Sequence, residues 1–332
     1  MTTTVQWLLF TSTVLADNPL GDPVTRITPV VLPPDYDANS SRRYPVLYGL
    51  TGYTGRGAAM LNSRPWGQNL QDRLNRLYSE GMPHAIFVLP DCFTAFGGSQ
   101  YVNSSAVGNY EDYLVREIVP WIDSQFRTIP HAGGRGVFGK SSGGYGAIMM
   151  GMRHPDVFSA VADHSGDAVF ELGYKPDFPK TANAINAAGG LEKWWESFKA
   201  KTKKRHSDIE VMNIIAMAAC YSPNPNAPLG LDLPFDPYTC EIIPEVWERW
   251  LAFDPYELVE RYADALRSLR LLFIDCGNRD EFNLHFSARR LVRKLQALNI
   301  PHIYEEFDDG HMEIDYRYDV SLPKLLAVLD QG

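Results

Sequence analysis

Cysteine is scarce in this chain: four in 332 residues, far apart and with no C-x-x-C pair. That spacing argues against a zinc site and leaves reduced, buried thiols as the expectation, hence a cytoplasmic protein. A bridge between Cys220 and Cys240 belongs only to the alternative in which the chain is exported. Positive charge is also short, with 31 Lys and Arg against 40 Asp and Glu and a net charge of −9. No basic face dominates, so no nucleic-acid partner is expected. The one cationic run, Lys199 to His206, reads as a solvated helix face. No apolar run approaches the ~20 residues that cross a bilayer, so no membrane span is expected. The stretch Val5–Phe10 has no basic segment before it and is rich in β-branched residues. It is expected to be a first strand rather than a signal peptide.

What is present suffices for a large core: 45% of residues are apolar and 12% aromatic. Strand-like runs recur at Arg26–Leu32, Pro45–Leu50, Ala85–Leu89, Phe158–Ala162, Leu269–Ile274 and Ile303–Phe307, with helical segments between them. Such alternation predicts an α/β fold, a mainly parallel central sheet with helices on both faces. Helices are expected over Asn109–Phe126, Tyr145–Met152, Ser287–Leu298 and near Leu322–Leu329, the first kinked or split at Pro120. Between residues 168 and 262 the rhythm breaks into a segment rich in Trp, Pro and Asn. A segment that long cannot be bare loop. It reads as a helical insertion in a single domain 1–332, placed to form a lid over the crevice. A cap that only buries core is the plainer alternative. The segment also has room for a subunit interface, and so for a homo-oligomer.

The most informative run is Phe138-Gly139-Lys140-Ser141-Ser142-Gly143-Gly144-Tyr145-Gly146. It fits G-x-S-x-G, the sharp strand-to-helix turn that exposes a serine as nucleophile. Gly139 and Gly143 flank Ser141 because a side chain there would meet the backbone. The same letters satisfy G-x-x-x-x-G-K-[ST] from Gly134 to Ser141, the phosphate-cradling loop of nucleotide-binding proteins. That loop needs an apolar strand before its first glycine, and Arg127 to Gly133 is polar and broken by Pro130. Val137 and Phe138 read better as the strand itself.

A serine hydroxyl needs a base to take its proton. Of eight histidines, His311 is the best placed, just beyond the last predicted strand in Phe307-Asp308-Asp309-Gly310-His311. Asp280, on a turn past the strand ending at Ile274, is the expected acid that orients it; Asp275 is the runner-up. Ser141, Asp280, His311 is the chain order of an α/β-hydrolase triad. The negative oxygen of the tetrahedral intermediate needs two aimed donors. The main-chain N–H of Ser142 is one, and that of Tyr53, in the loop after Leu50, is the other. Candidates for the substrate pocket are His164, Lys140, Trp194 and Trp195. The set calls for no metal or cofactor.

Several of these motifs resemble the esterase family of α/β-hydrolases that includes esterase D (S-formylglutathione hydrolase), enterochelin esterases and mycolyltransferases. Pro45 to Thr54 is similar to the esterase D oxyanion segment P-V-L-Y-x-L-S-G-L-T. Phe138 to Ala147 is similar to its F-G-x-S-M-G-G-x-G-A elbow, and Ile274 to Phe282 matches I-D-x-G-x-x-D-x-F. The resemblance covers roughly residues 20–170 and 265–330. It implies an α/β-hydrolase fold, a triad of Ser141, Asp280 and His311, and Tyr53 and Ser142 as oxyanion donors. Lys140 and Ser142 stand where esterase D commonly has His and Met, Gly55 where it has Cys, and the segment from about 170 to 260 is foreign to it. The expectation is therefore a serine carboxylesterase acting on small acyl esters. An S-formylglutathione hydrolase-like thioesterase and an acyltransferase share the machinery. A nucleotide-binding protein is the alternative of another class.

Overall fold

Strands that read as unbroken apolar runs form the middle of one eight-stranded sheet, and the strand with alternating exposure forms its edge. The computed structural model describes residues 2–38 and 41–332. In chain order the sheet strands are β1 (Thr4–Thr11), β2 (Thr25–Leu32), β3 (Val46–Leu50), β4 (Ile86–Val88), β5 (Arg135–Lys140), β6 (Ala160–His164), β7 (Leu271–Gly277) and β8 (Ile303–Phe307). Their order across the sheet is β1-β2-β4-β3-β5-β6-β7-β8. The β1–β2 and β2–β4 pairs are antiparallel, and every other pair is parallel. The expected first strand is present as β1, an edge that leaves Trp7 and Leu9 exposed.

Nine helices are relevant here: α1 (Leu70–Ser79), α2 (Val119–Gln125), α3 (Ser142–Arg153), α4 (Phe178–Ala188), α5 (Leu191–Ala200), α6 (His206–Tyr221), α7 (Pro244–Leu251), α8 (Leu284–Ala297) and α9 (Tyr318–Val328). Because strand side chains alternate faces, Leu47, Phe87 and Phe138 pack against α1 and α9. Their neighbours Val46, Tyr48 and Val137 join α3 and α8 on the other face. Both faces are thus covered, which is why β3 to β6 show no polar alternation. Pro120 splits its helix as expected: Tyr113–Ile118 winds in wider π-type turns, and α2 begins at Val119. The strand expected at Phe158–Ala162 lies two residues later, because buried polar residues Asp163 and His164 continue it.

Two of the alternatives are excluded. Arg135–Lys140 is a central strand paired with both β3 and β6. Its main-chain groups are committed to the ladders, so Gly134 to Ser141 cannot cradle a phosphate and the nucleotide-binding reading falls. Cys220 and Cys240 form no bridge; all four cysteines are free thiols. Among the described residues, no helix is long and apolar enough to cross a membrane.

Residues 168–262 contribute helices and no strand of the sheet. Their apolar side chains merge with the main core: Phe170 stacks on Tyr221, and Tyr174 and Tyr221 each meet Trp250 edge-on. The Asp254 carboxylate accepts the N–H groups of Val169 and Phe170 at 2.9 and 2.7 Å, closing the segment on itself. From α3, the Tyr145 hydroxyl donates to the Phe253 carbonyl at 3.1 Å.

Candidate active site

Ser141 sits between β5 and α3 with φ 58° and ψ −126°, a strained conformation for a residue with a side chain. The surroundings enforce it. Its N–H donates to the His164 carbonyl at 2.9 Å, and its carbonyl accepts from Tyr145 at 2.9 Å. A Cβ on Gly139 would lie 2.4 Å from the Gly143 carbonyl, and one on Gly143 only 2.1 Å from the Leu50 oxygen. Close approach of β3, β5 and α3 is therefore what the flanking glycines permit.

His311 follows β8, and Asp280 lies on the turn after β7. The ring Nδ1 of His311 is 2.7 Å from Asp280 Oδ2. Asp280 Oδ1 accepts the N–H groups of Phe282 and Leu284 at 2.9 and 3.3 Å. Burial alone would raise this carboxyl's pKa. The hydrogen bond and charge of His311, with those two N–H groups, outweigh burial and hold it below the ordinary carboxylate range. An ionised acceptor at Nδ1 puts the ring proton there and leaves Nε2 with a free lone pair. Sequence reasoning missed Glu281, whose carboxylate accepts the His311 main-chain N–H at 2.7 Å and fixes the loop. It also missed the Phe282 ring, edge-on to the imidazole at 4.8 Å.

Ser141 and His311 line the same crevice, of about 250 Å³. Its wall is mainly apolar, with Phe170, Tyr174, Ile209, Leu284 and Met312. Gly52 lies against Ser141, where a Cβ would come 3.3 Å from that of the serine. The next residue, Tyr53, is anchored by its hydroxyl on the Phe96 carbonyl at 2.6 Å, and Thr54 N–H donates to Gly97 at 2.8 Å. Neither the N–H of Tyr53 nor that of Ser142 donates to another described residue. Both residues line the crevice.

The four pocket candidates part company. Lys140 lines the crevice. His164 does not: it is 1% exposed, with Nδ1 on Asp275 at 2.7 Å and Nε2 on Ser321 at 2.8 Å. That contact, with Arg317 at 2.8 Å from Asp275, also removes Asp275 from the choice of acid for His311. Trp194 is buried against Phe198, and Trp195 lines a separate surface groove with Phe96 and Leu229. The wall also carries Asp177, His206, Glu210 and Asn213, and Asp167, whose carboxylate accepts from Tyr174 and Gln100 at 2.9 and 3.1 Å.

The sequence matches the Putative esterase family over residues 25–326. Esterase Rv1288 of Mycobacterium tuberculosis (strain ATCC 25618 / H37Rv) is 34% identical over 166 residues, which is 48% of this chain and 34% of that protein. The aligned part thus spans about a third of the length of the curated relatives the chain matches. Among solved structures, a ferulic acid esterase superposes with a TM-score of 0.62 at 22% identity, covering 99% of both chains. An S-formylglutathione hydrolase from Agrobacterium tumefaciens gives 0.61 at 17% identity, covering 99% of this chain and 95% of that one. These superpositions, with the strand order above, establish the α/β-hydrolase fold.

Proposed function

The chain belongs to the Putative esterase family, and from that premise we propose that it is a serine carboxylesterase working through Ser141, His311 and Asp280. His311 Nε2 takes the hydroxyl proton as Ser141 Oγ attacks the ester carbonyl. The N–H groups of Tyr53 and Ser142 receive the oxyanion, an interaction worth roughly 3–4 kcal/mol per donor. The imidazolium then gives its proton to the leaving alkoxide, and the acyl group stays on Ser141. Water, deprotonated by the same Nε2, releases the acid in a second round. Asp280 orients the ring and stabilises its cationic form without itself taking the proton.

One observation carries this reading: a serine in a strained elbow conformation shares a crevice with a histidine whose far nitrogen is held at 2.7 Å by a buried carboxylate. The apolar wall suits short- to medium-chain or aryl acyl groups. Residues 168–262 form part of that wall and are tied into the core, which favours a fixed cap over a mobile lid. The free thiols suit a reducing, cytoplasmic setting. Thioesters meet the same machinery, and an acyltransferase differs only in the acceptor.

Hydrolysis of p-nitrophenyl esters from acetate to decanoate, by wild type and Ser141→Ala, tests the reading. A loss of about a thousandfold or more in the variant is expected. Turnover that survives the substitution, or no turnover of any ester by wild type, would overturn it.

A further inference from the structure

Two cavities meet at Lys140. Behind the Gly52–Thr54 loop lies a second one, of about 240 Å³, with Thr51, Arg64, Gln68, Asn69, Arg73 and Asp315 in its wall. It shares Gly52, Tyr53, Thr54 and Lys140 with the crevice of Ser141 and His311. One of those shared residues carries a proposed oxyanion donor, and another precedes the nucleophile. The second cavity thus opens beside the residues proposed to act on the ester.

Its charges are not equivalent. Arg64 is paired with Asp315, and Arg73 with Asp319, which Arg76 also contacts at 2.6 Å. The Lys140 ammonium makes no hydrogen bond or ion pair with any described residue; Asp315, Asp280 and Glu281 act on it only at longer range. Burial favours its neutral form and, with repulsion from Arg64, outweighs those acids, so its pKa lies below the ordinary lysine value. A half-buried ammonium without a partner is costly to keep, and an incoming anion would relieve that cost.

We propose that the polar cavity is a subsite for a single carboxylate carried by the ester, with Lys140 as its specificity-determining partner. The proposal rests on Ser141 being the nucleophile. One unpaired cation suits a monoanion. Asp280 and Glu281 near Lys140, and Asp167, Asp177 and Glu210 in the crevice wall, oppose a second negative charge, so a phosphate dianion fits poorly. Lysine offers a compact point charge on a flexible stem, which can follow the carboxylate from the crevice into the polar cavity.

Two pairs of substrates locate the charge. The first is p-nitrophenyl hydrogen glutarate against its methyl ester, with the carboxylate on the acyl side. The second is 4-carboxyphenyl butyrate against its methyl ester, with the carboxylate on the leaving group. Each kcat/KM is normalised to the uncatalysed alkaline rate. In wild type one pair should favour the acid by about tenfold or more, equivalent to about 1.4 kcal/mol. That ratio should collapse in Lys140→Met and recover largely in Lys140→Arg. Ratios near one in both pairs, or a preference that survives Lys140→Met, would refute the subsite. Should Lys140→Met fail to fold, wild type in about 1 M salt decides, since a preference that does not shrink there is not electrostatic. Wild type with no preference but full Ser141 dependence defeats the subsite alone. Turnover by Ser141→Ala defeats the underlying reading instead.

Discussion

Replacing Asp280 by Asn should leave the crevice its shape and reverse the proton on His311. The side chain is fully buried, and Asn is nearly the same size. Its amide oxygen can keep the Phe282 and Leu284 N–H groups that Oδ1 now accepts at 2.9 and 3.3 Å. The amide nitrogen then stands where Oδ2 lies 2.7 Å from His311 Nδ1, and it can only donate. Nδ1 must become the acceptor, so the ring proton moves to Nε2, which can no longer take one from Ser141. The charge that stabilises the imidazolium is lost as well. Reversing the tautomer in a Ser-His-Asp site costs about 10⁴ in kcat, or about 5.4 kcal/mol of barrier. The assay is kcat for p-nitrophenyl butyrate, with thermal unfolding to show that the fold is kept. Asp167→Asn is the control. Asp167 also feels the His311 charge, but its hydrogen bonds go to Tyr174 and Gln100, so its loss should be far smaller. A folded Asp280→Asn within about tenfold of wild type, or an Asp167→Asn that is worse, would refute the assignment of the acid.

Two further expectations concern the elbow. Gly143→Ala puts a methyl 2.1 Å from the Leu50 oxygen, on backbone at the end of β3 that cannot retreat. It should destabilise by about 3 kcal/mol or more in urea unfolding, and a well-tolerated Ala would show that β3 and α3 do not meet there. Behind the elbow, burial first and repulsion from Asp275 second push the Asp163 carboxyl to about 8. Its unfolded value is about 3.9, so the folded chain holds the proton more tightly. This contribution to stability is complete below pH ~4 and is lost as pH rises through ~8, by at most about 1.4 kcal/mol per pH unit. Asp163→Asn should flatten stability against pH between pH 5 and 8, and an unchanged slope in urea titrations would contradict it.

The parts legible in the sequence are those encoded locally. The elbow is a run of adjacent letters, and β3 and β4 announce themselves by apolar runs that tertiary contact only confirms. Ser141, Asp280 and His311 are each proposed from a turn next to a predicted strand, with no knowledge of distances; the fold sets Ser141 and His311 in one crevice and Asp280 against His311. His164 was misjudged because what occupies it lies far along the chain: Asp275 and Ser321 are 111 and 157 residues away. Nothing local distinguishes a histidine at a strand end that faces a crevice from one that closes a buried network. The tryptophans failed similarly, since composition marks 168–262 as aromatic but does not say which ring faces which cavity. Arg64 and Arg73 belong to no sequence motif, and only the fold places them in one cavity wall with Lys140.

The bond from Tyr145 to the Phe253 carbonyl bears on how this protein can be altered. Tyr145 is on the helix capped by Ser141, and Phe253 is near the end of the segment that supplies the far wall of the crevice. Exchanging residues 168–262 for the corresponding piece of a relative would strand that hydroxyl and uncap Val169 and Phe170, which Asp254 now holds. The damage would fall on the helix that positions Ser141. The segment is therefore no interchangeable cassette, and a designer seeking a new substrate should recolour the wall residue by residue.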